Sequence, residues 1–246
     1  MHLLLISDLP GVSGIDRATA CLPGSVDYAA GLAARQAELA VLITHLRALG
    51  ASAITVVDWH AWHPGATPLT PAVMPDNVTL LDGALSQRVD VAIAHGLHAM
   101  TGAEGFCSQT FAPDLTVTVN GQPVGELALL AWWLGEQGIP LGLVAGDRAL
   151  SQEAERWTEQ TTTVTVKRAR GWDAALTLPL ERAAAALQAS LERVLARREF
   201  WWVYRPPSPL AITVERDGVL LAQDRAVSSL HDWLTAFRRK LGAAGS

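Results

Sequence analysis

The first 58 residues alternate between strand and helix patterns, and this order constrains the fold more than any other feature of the chain. Residues 3–6 form a short apolar run bounded by turn formers, which is typical of a buried strand. An amphipathic pattern over residues 28–49 predicts a long helix that stops at Gly50. The β-branched run at residues 53–57 predicts a second strand. Strand, helix and strand in this order predict a right-handed parallel crossover.

The same alternation continues along the chain, so we predict an α/β fold: a mainly parallel sheet flanked by helices in three layers. The proline-rich segment at residues 205–209 is the best candidate boundary. We therefore predict one α/β domain over residues 1–200 and a small C-terminal extension, residues 201–246, that packs on it. Further strands are predicted at residues 78–81, 89–94, 115–119, 141–144, 161–166 and 210–215, and further helices at residues 125–137, 151–157, 180–198 and 227–241.

Composition narrows the class of protein. Hydrophobic residues make up 50% of the 246 residues and charged residues only 17%, which favours a sizeable core and argues against disorder. A net charge of −5 gives no electrostatic footprint for nucleic acid. Two cysteines do not make a disulfide framework, and the N-terminus has no secretory signal pattern. We expect a soluble, cytoplasmic protein without nucleic-acid or membrane partners.

Groups that can bind a metal follow several of the predicted strands. In a parallel sheet the carboxyl ends of the strands share one edge, so groups far apart in sequence can converge there. Imidazole and carboxylate together suit zinc or a related divalent ion. Each group alone has an ordinary explanation, since Asp8 can cap its turn and a single histidine is often structural. The candidates are Asp8, then Asp58, His60 and His63, then His95 and His98, and then Glu126 after a turn at Asn120-Gly121.

Five short blocks resemble the D-aminopeptidase family of zinc metallopeptidases, of the type associated with dipeptide transport. Their order and spacing match that family over residues 1 to about 170, and the resemblance fades beyond residue 200. The blocks are Ser7-Asp8-x-x-Gly11-x-Ser13-Gly14, Asp58-x-His60, Gly96-Leu97-His98-Ala99, Asn120-Gly-x-Pro123-Val124-Gly125-Glu126-Leu127 and Val144-Ala145-Gly146-Asp147.

The resemblance implies a function and a set of site residues. Family members are α/β proteins whose rings stack into a decamer, and they remove N-terminal D-residues from short peptides. By position, Asp8 matches the aspartate that bridges two zinc ions and His60 belongs to one ion. His98 and Glu126 would complete the other ion with Asp8, and Asn120 would contact substrate. We expect one or two zinc ions per chain, a small peptide or amide substrate and a homo-oligomer.

The chain departs from the family pattern at two positions. Pro10 stands where the family has a metal-binding glutamate, and Gln109 stands where it has a histidine proposed to act in catalysis. Glutamine forms hydrogen bonds but cannot shuttle a proton. Cys107, close by, is a further candidate ligand or nucleophile. Replacements for the missing ligand within reach of the sequence are Asp58, His63, His95 and Glu104.

These observations leave competing hypotheses. In the first, a metal held by Asp8, His98 and Glu126 activates a water that attacks an amide carbonyl, with Gln109 holding substrate or oxyanion. In the second, a catalytically degenerate family member acts as an oligomeric binding or structural module. A phosphate site at residues 11–14 has little support, because the segment lacks the P-loop lysine. The tryptophan-rich loop that begins at Trp59 could wall a pocket or pack in a core.

Overall fold

A seven-stranded sheet organises the protein. The computed structural model describes residues 1–63, 65–71, 74, 78–81, 85 and 87–244. The strand order is β3-β2-β1-β4-β7-β8-β9, and every neighbouring pair is parallel except the antiparallel pair of β8 and β9. The strands are β1 (His2–Ser7), β2 (Ala53–Asp58), β3 (Val78–Leu80), β4 (Val91–Leu97), β7 (Leu141–Asp147), β8 (Thr162–Ala169) and β9 (Ala175–Thr177).

Helices cover both faces of this sheet. On one face, α1 (Tyr28–Ala48) and α4 (Leu180–Ala196) pack against alternate strand residues such as Leu3 and Leu5. On the other face, α2 (Glu126–Glu136), α3 (Arg148–Trp157) and α5 (Leu230–Ala244) share a core with Leu4 and Ile6. The central strands are buried on both faces, as the continuous apolar runs predict. The predicted α/β fold with a mainly parallel sheet between helices is confirmed.

A second, antiparallel sheet joins the C-terminal segment to the middle of the chain. Its order is β11-β10-β5-β6, with β5 (Leu115–Val119), β6 (Gln122–Val124), β10 (Ile212–Arg216) and β11 (Val219–Asp224). Ile212 and Val214 of β10 are buried in the same core as α2 and α5. The C-terminal strands therefore complete a sheet begun near residue 115, and the division of the chain at residue 200 stays a prediction.

Several element boundaries differ from the sequence-based predictions. Strand β7 runs on to Asp147, and α3 begins at Arg148 instead of residue 151, because the Asp147 carboxylate accepts a hydrogen bond from Leu150 N (2.9 Å) and caps the helix. Strands β6, β9 and β11 were not predicted. Of the loop at residues 59–77, residues 64, 72, 73 and 75–77 lie outside the described residues. No helix in the described part of the chain has the length and apolarity needed to cross a bilayer.

Candidate metal centre

The carboxyl ends of β1 and β4 bring Asp8 and His98 to one edge of the sheet. Asp8 follows β1 directly, and its backbone N–H donates to His95 O at 2.9 Å. Gly96 makes this approach possible: its φ is +76°, and a Cβ there would lie 2.4 Å from Asp8 O. Gly11 is similarly constrained, since a Cβ on it would lie 2.0 Å from Leu97 O. These close backbone contacts explain the glycines without any phosphate site.

Asp8, His98 and Glu126 form a compact buried cluster. His98 Nε2 lies 3.4 Å from Asp8 Oδ2 and 3.5 Å from Glu126 Oε1, and the three potential ligand atoms all lie within 4.8 Å of one another. Zinc bonds of about 2.1 Å in a tetrahedral site separate ligand atoms by about 3.4 Å. Asp8 Oδ2 is buried and has no hydrogen-bond partner among the described residues. The donor set and its spacing therefore fit a zinc ion.

Hydrogen bonds from neighbouring groups orient two of these side chains. Glu126 opens helix α2, and its two oxygens accept from Trp59 Nε1 (2.5 Å) and Phe111 N (2.7 Å). His98 Nδ1 lies 3.1 Å from Ala99 O, so Nδ1 carries the proton, and the Nε2 lone pair faces the cluster with the Gln109 amide nitrogen 3.5 Å away. Partners of this kind fix ligand orientation in metal sites.

His60 lies on the other side of Asp8. Its Nδ1 is 3.5 Å from Asp8 Oδ1, and its Nε2 is 3.1 Å from the Tyr28 hydroxyl. The same hydroxyl accepts a hydrogen bond from Thr67 N at 3.0 Å, which leaves its own proton available to donate to His60 Nε2. A ring that accepts this proton at Nε2 carries its own proton on Nδ1, facing Asp8. Both ring nitrogens of His60 are thus engaged with protein groups, and His60 is not part of the three-residue cluster.

The four residues predicted to replace the missing metal ligand are not part of the cluster of Asp8, His98 and Glu126. Asp58 forms a buried ion pair with Arg35 (2.8 Å). His95 Nε2 lies 3.0 Å from Glu38 Oε1, and both side chains are buried. Glu104 is exposed, and His63 stacks on the His60 ring with centroids 6.0 Å apart.

Gln109 and Asn120 have different surroundings. Gln109 Nε2 lies 3.5 Å from His98 Nε2, so this amide borders the cluster of Asp8, His98 and Glu126. Asn120 lies in the turn between β5 and β6, where its amide donates to Pro209 O (2.8 Å) and accepts from Ala211 N (2.9 Å). Asn120 therefore ties the C-terminal segment to this turn, and its contact with substrate stays a prediction.

Cys107 is buried as a free thiol. Its hydrogen bond with Cys21 and its burial raise the pKa of the thiol, which argues against a thiolate nucleophile.

Burial and neighbouring charges perturb the acids and bases of the site. Burial raises the pKa of Asp8, but the His60 hydrogen bond and the His98 charge lower it more, so it lies below its usual range. Burial raises the pKa of the Glu126 carboxyl. Burial by itself lowers the pKa of His98, but the negative charges of Glu126 and Asp8 raise it more. The negative cluster thus favours a cation at its centre, either a proton on His98 or a metal ion.

Sequence reasoning missed three supporting residues: Tyr28, Trp59 in its role as a hydrogen-bond donor, and Glu153. Glu153 is buried on α3, accepts from Met100 N (2.7 Å), and burial raises its pKa to about 7. A signal for it existed, because Glu153 shares the apolar side of its helix with Leu150. Nothing in the local sequence marks Tyr28 or the Trp59 indole as partners of the site.

Comparison with known proteins agrees with this fold. A profile of the D-aminopeptidase family matches residues 1–234. The chain therefore belongs to the D-aminopeptidase family, which confirms the resemblance noted in the sequence. A curated D-aminopeptidase of Bacillus subtilis (strain 168) is 26% identical over 225 residues, covering 87% of this chain and 81% of the relative.

A solved structure has the same fold. It is described as the Zn-dependent D-aminopeptidase DppA from Bacillus subtilis, a self-compartmentalizing protease. The TM-score is 0.84 with 20% identity, over 99% of this chain and 98% of that one. At this level of identity the match establishes the shared architecture. The functional argument comes from family membership and from the cluster of Asp8, His98 and Glu126.

Proposed function

We propose that this protein is a zinc-dependent hydrolase of the D-aminopeptidase type that holds one zinc ion on Asp8, His98 and Glu126. The observation that carries the proposal is the cluster itself: three buried ligand atoms at zinc spacing, one of them without a hydrogen-bond partner among the described residues. Family membership supports a small peptide or amide with an N-terminal D-residue as substrate. A divalent ion at this position supplies a Lewis acid and lowers the pKa of water.

The residues around the cluster support one ion rather than two. Pro10 offers no side-chain ligand, and the His60 lone pair at Nε2 faces the Tyr28 hydroxyl. His60 then acts as an orienting residue, whose Nδ1–H holds the Asp8 carboxylate toward His98. This assignment replaces the predicted role of His60 as a ligand and is part of the proposal.

Gln109 lies beside the proposed zinc site, where the substrate carbonyl would react. Its amide can donate a hydrogen bond to a substrate carbonyl oxygen as negative charge builds there, which stabilises that charge. It cannot take up or release a proton. The same feature supports the second hypothesis, a family member that binds zinc and substrate but has lost turnover.

The proposal includes a homo-oligomer and a cytoplasmic location. The edge strand β11 exposes three consecutive apolar side chains, Val219, Leu220 and Leu221, at 65%, 55% and 49% of their surface. An apolar sheet edge of this kind favours pairing with another chain. Free cysteines, such as Cys21, fit a reducing compartment.

The test is metal content per chain, measured by mass spectrometry on protein purified without chelator or immobilised nickel. We expect about one zinc in the wild type, none in His98→Ala, and an unchanged value in the control His45→Ala, which alters a histidine of α1 outside the cluster. Two ions would overturn the single-ion assignment, and no ion even after zinc addition would overturn the hydrolase. Release of D-alanine from D-alanyl amides, compared with the L-forms, then separates an active enzyme from a zinc-bound but inert family member.

A further inference from the structure

Glu153 lies on helix α3, which is anchored at the carboxyl end of β7. The cap residue Asp147 accepts a hydrogen bond from Leu150 N (2.9 Å) through one carboxylate oxygen and from Phe106 N (2.8 Å) through the other. Leu150 and Ala154, on the same side of the helix as Glu153, are 1% exposed and pack in the core shared with α2. Glu153 itself is 8% exposed. A side chain on a helix held in this way can fix neighbouring segments of the chain.

One oxygen of the Glu153 carboxyl holds the segment that carries His98. Its Oε2 accepts a hydrogen bond from the backbone N–H of Met100 at 2.7 Å, two residues beyond His98. His98 is 3% exposed and Ala99 is fully buried, so any shift of Met100 is passed to His98 through closely packed chain. The hydrogen bond therefore constrains where His98 lies.

The other oxygen lies against the segment that carries Glu126. A Cβ added to Gly125 would overlap Glu153 Oε1, so the carboxyl occupies the space that a side chain at residue 125 would need. The same Cβ would come within 2.7 Å of Met100 Cβ, so Glu153, Met100 and Gly125 meet at one point. Gly125 is the N-cap of α2, and Glu126 is the first residue of that helix. Glu153 thus contacts both segments that follow one another in the site and each carry a proposed zinc ligand.

This arrangement of Glu153 is costly for stability, which indicates a role beyond packing. Its Oε1 is buried and has no hydrogen-bond partner among the described residues. Burial raises the pKa of the carboxyl to about 7, and among the smaller effects His98 lowers this pKa and Glu126 raises it, so both ligands are close enough for their charges to act on it. An apolar side chain would avoid these costs but could not accept the hydrogen bond from Met100 N.

We propose that Glu153 is a positioning residue for the zinc site: through Met100 N and its contact with Gly125 it fixes the segments that carry His98 and Glu126. Glu153 is not one of the ligands, since the cluster consists of Asp8, His98 and Glu126. The inference rests on the proposed zinc site. Its physical content is that Glu153 contributes an oxygen acceptor at a fixed reach, rather than a negative charge.

The test compares the zinc affinities of Glu153→Gln and Glu153→Asp, measured by competition with a chromophoric chelator. Glutamine keeps the length and an oxygen acceptor but removes the charge, whereas aspartate keeps the charge and is about 1.5 Å shorter, too short to accept from Met100 N. We expect Glu153→Gln to stay within about threefold of wild type and Glu153→Asp to bind zinc at least about tenfold more weakly. The matched control Glu155→Asp shortens an exposed side chain on the same helix and should leave the affinity unchanged.

Amide hydrogen exchange of the zinc-free protein, followed by NMR, tests the same contact without metal. We expect the Met100 amide to be protected in wild type and in Glu153→Gln, and to exchange faster in Glu153→Asp. The ring resonances of His98 should shift in Glu153→Asp alone, because only that variant releases the segment. An unprotected Met100 amide in wild type would overturn the inference without any variant.

Two results for zinc would also overturn it. They are equal affinity of Glu153→Asp and wild type, and an equal loss in Glu153→Asp and Glu153→Gln, which would assign the effect to charge or to general packing. Either result leaves zinc binding by the wild type, and with it the proposed function, intact. A wild type that binds no zinc but shows the expected exchange pattern would overturn the proposed zinc site and leave Glu153 holding the two segments, so the two proposals can fail separately.

Discussion

Replacing Trp59 with phenylalanine tests whether the hydrogen bonds around Glu126 prepare it for zinc. In the structure the Glu126 carboxylate has two donors, Trp59 Nε1 at 2.5 Å and Phe111 N at 2.7 Å. Phenylalanine keeps an aromatic ring in the hydrophobic core but removes the N–H. Glu126 Oε2 would then be buried without that donor, a change that costs about 1–3 kcal/mol.

The penalty falls on the ionised carboxylate, which is the form that binds metal. The Trp59 hydrogen bond lowers the pKa of Glu126 against the larger effect of burial, so its loss shifts the carboxyl further toward the protonated form. We expect zinc affinity to fall by about 10- to 100-fold, the range typical of lost outer-shell partners of metal ligands. Competition with a chromophoric chelator at neutral pH measures this change directly.

The matched control is Trp133→Phe. Trp133 is also buried in this core, but its indole N–H donates to His231 and not to a proposed metal ligand. Both variants lose the same N–H and a similar ring volume, so a general loss of packing affects both. An equal fall in zinc affinity in the two variants, or no fall in Trp59→Phe, would refute the argument that this hydrogen bond orients the ligand.

Two further predictions concern stability and assembly. Burial raises the pKa of Glu153 to about 7, well above the usual value of a glutamate, so the folded state binds a proton that the unfolded state releases at lower pH. Zinc-free wild-type protein should therefore lose stability as pH rises from 5 to 8, and Glu153→Gln should remove about 2 kcal/mol of that loss in urea unfolding. Leu220→Lys places a charge on the apolar edge of β11 and should lower the oligomer mass measured by light scattering.

Each of these predictions has a control within the chain. Glu155→Gln changes an exposed glutamate on the same helix as Glu153 and should leave the pH dependence unchanged. A parallel pH profile for Glu153→Gln and wild type would contradict the buried-charge argument. Gln152→Lys adds the same charge as Leu220→Lys at an exposed site outside the edge strand. A monomeric wild type, or equal masses in both lysine variants, would show that β11 is not an interface.

Local sequence patterns predicted the main sheet well because its strands are marked by their own composition. The runs at residues 3–6 and 53–57 lie in β1 and β2, and the residue that follows β1, Asp8, lies beside His98 and Glu126, which the convergence of strand ends predicts. Strand β11 escaped prediction because its residues are exposed and show no alternation. Its place in a sheet depends on pairing with β10.

For the site, the sequence determined which groups are chemically available, and the tertiary structure decided which of them lie together. The sequence supplied Asp8, His98 and Glu126 together with several equally plausible ligands. Packing then engaged Asp58 with Arg35 and the Nε2 of His60 with Tyr28. Periodicity and spacing describe only the local chain, whereas a hydrogen-bond partner 23 or 32 residues away is chosen by how helix α1 lies on the sheet. That choice, made by packing, separates the proposed zinc ligands from the residues that support them.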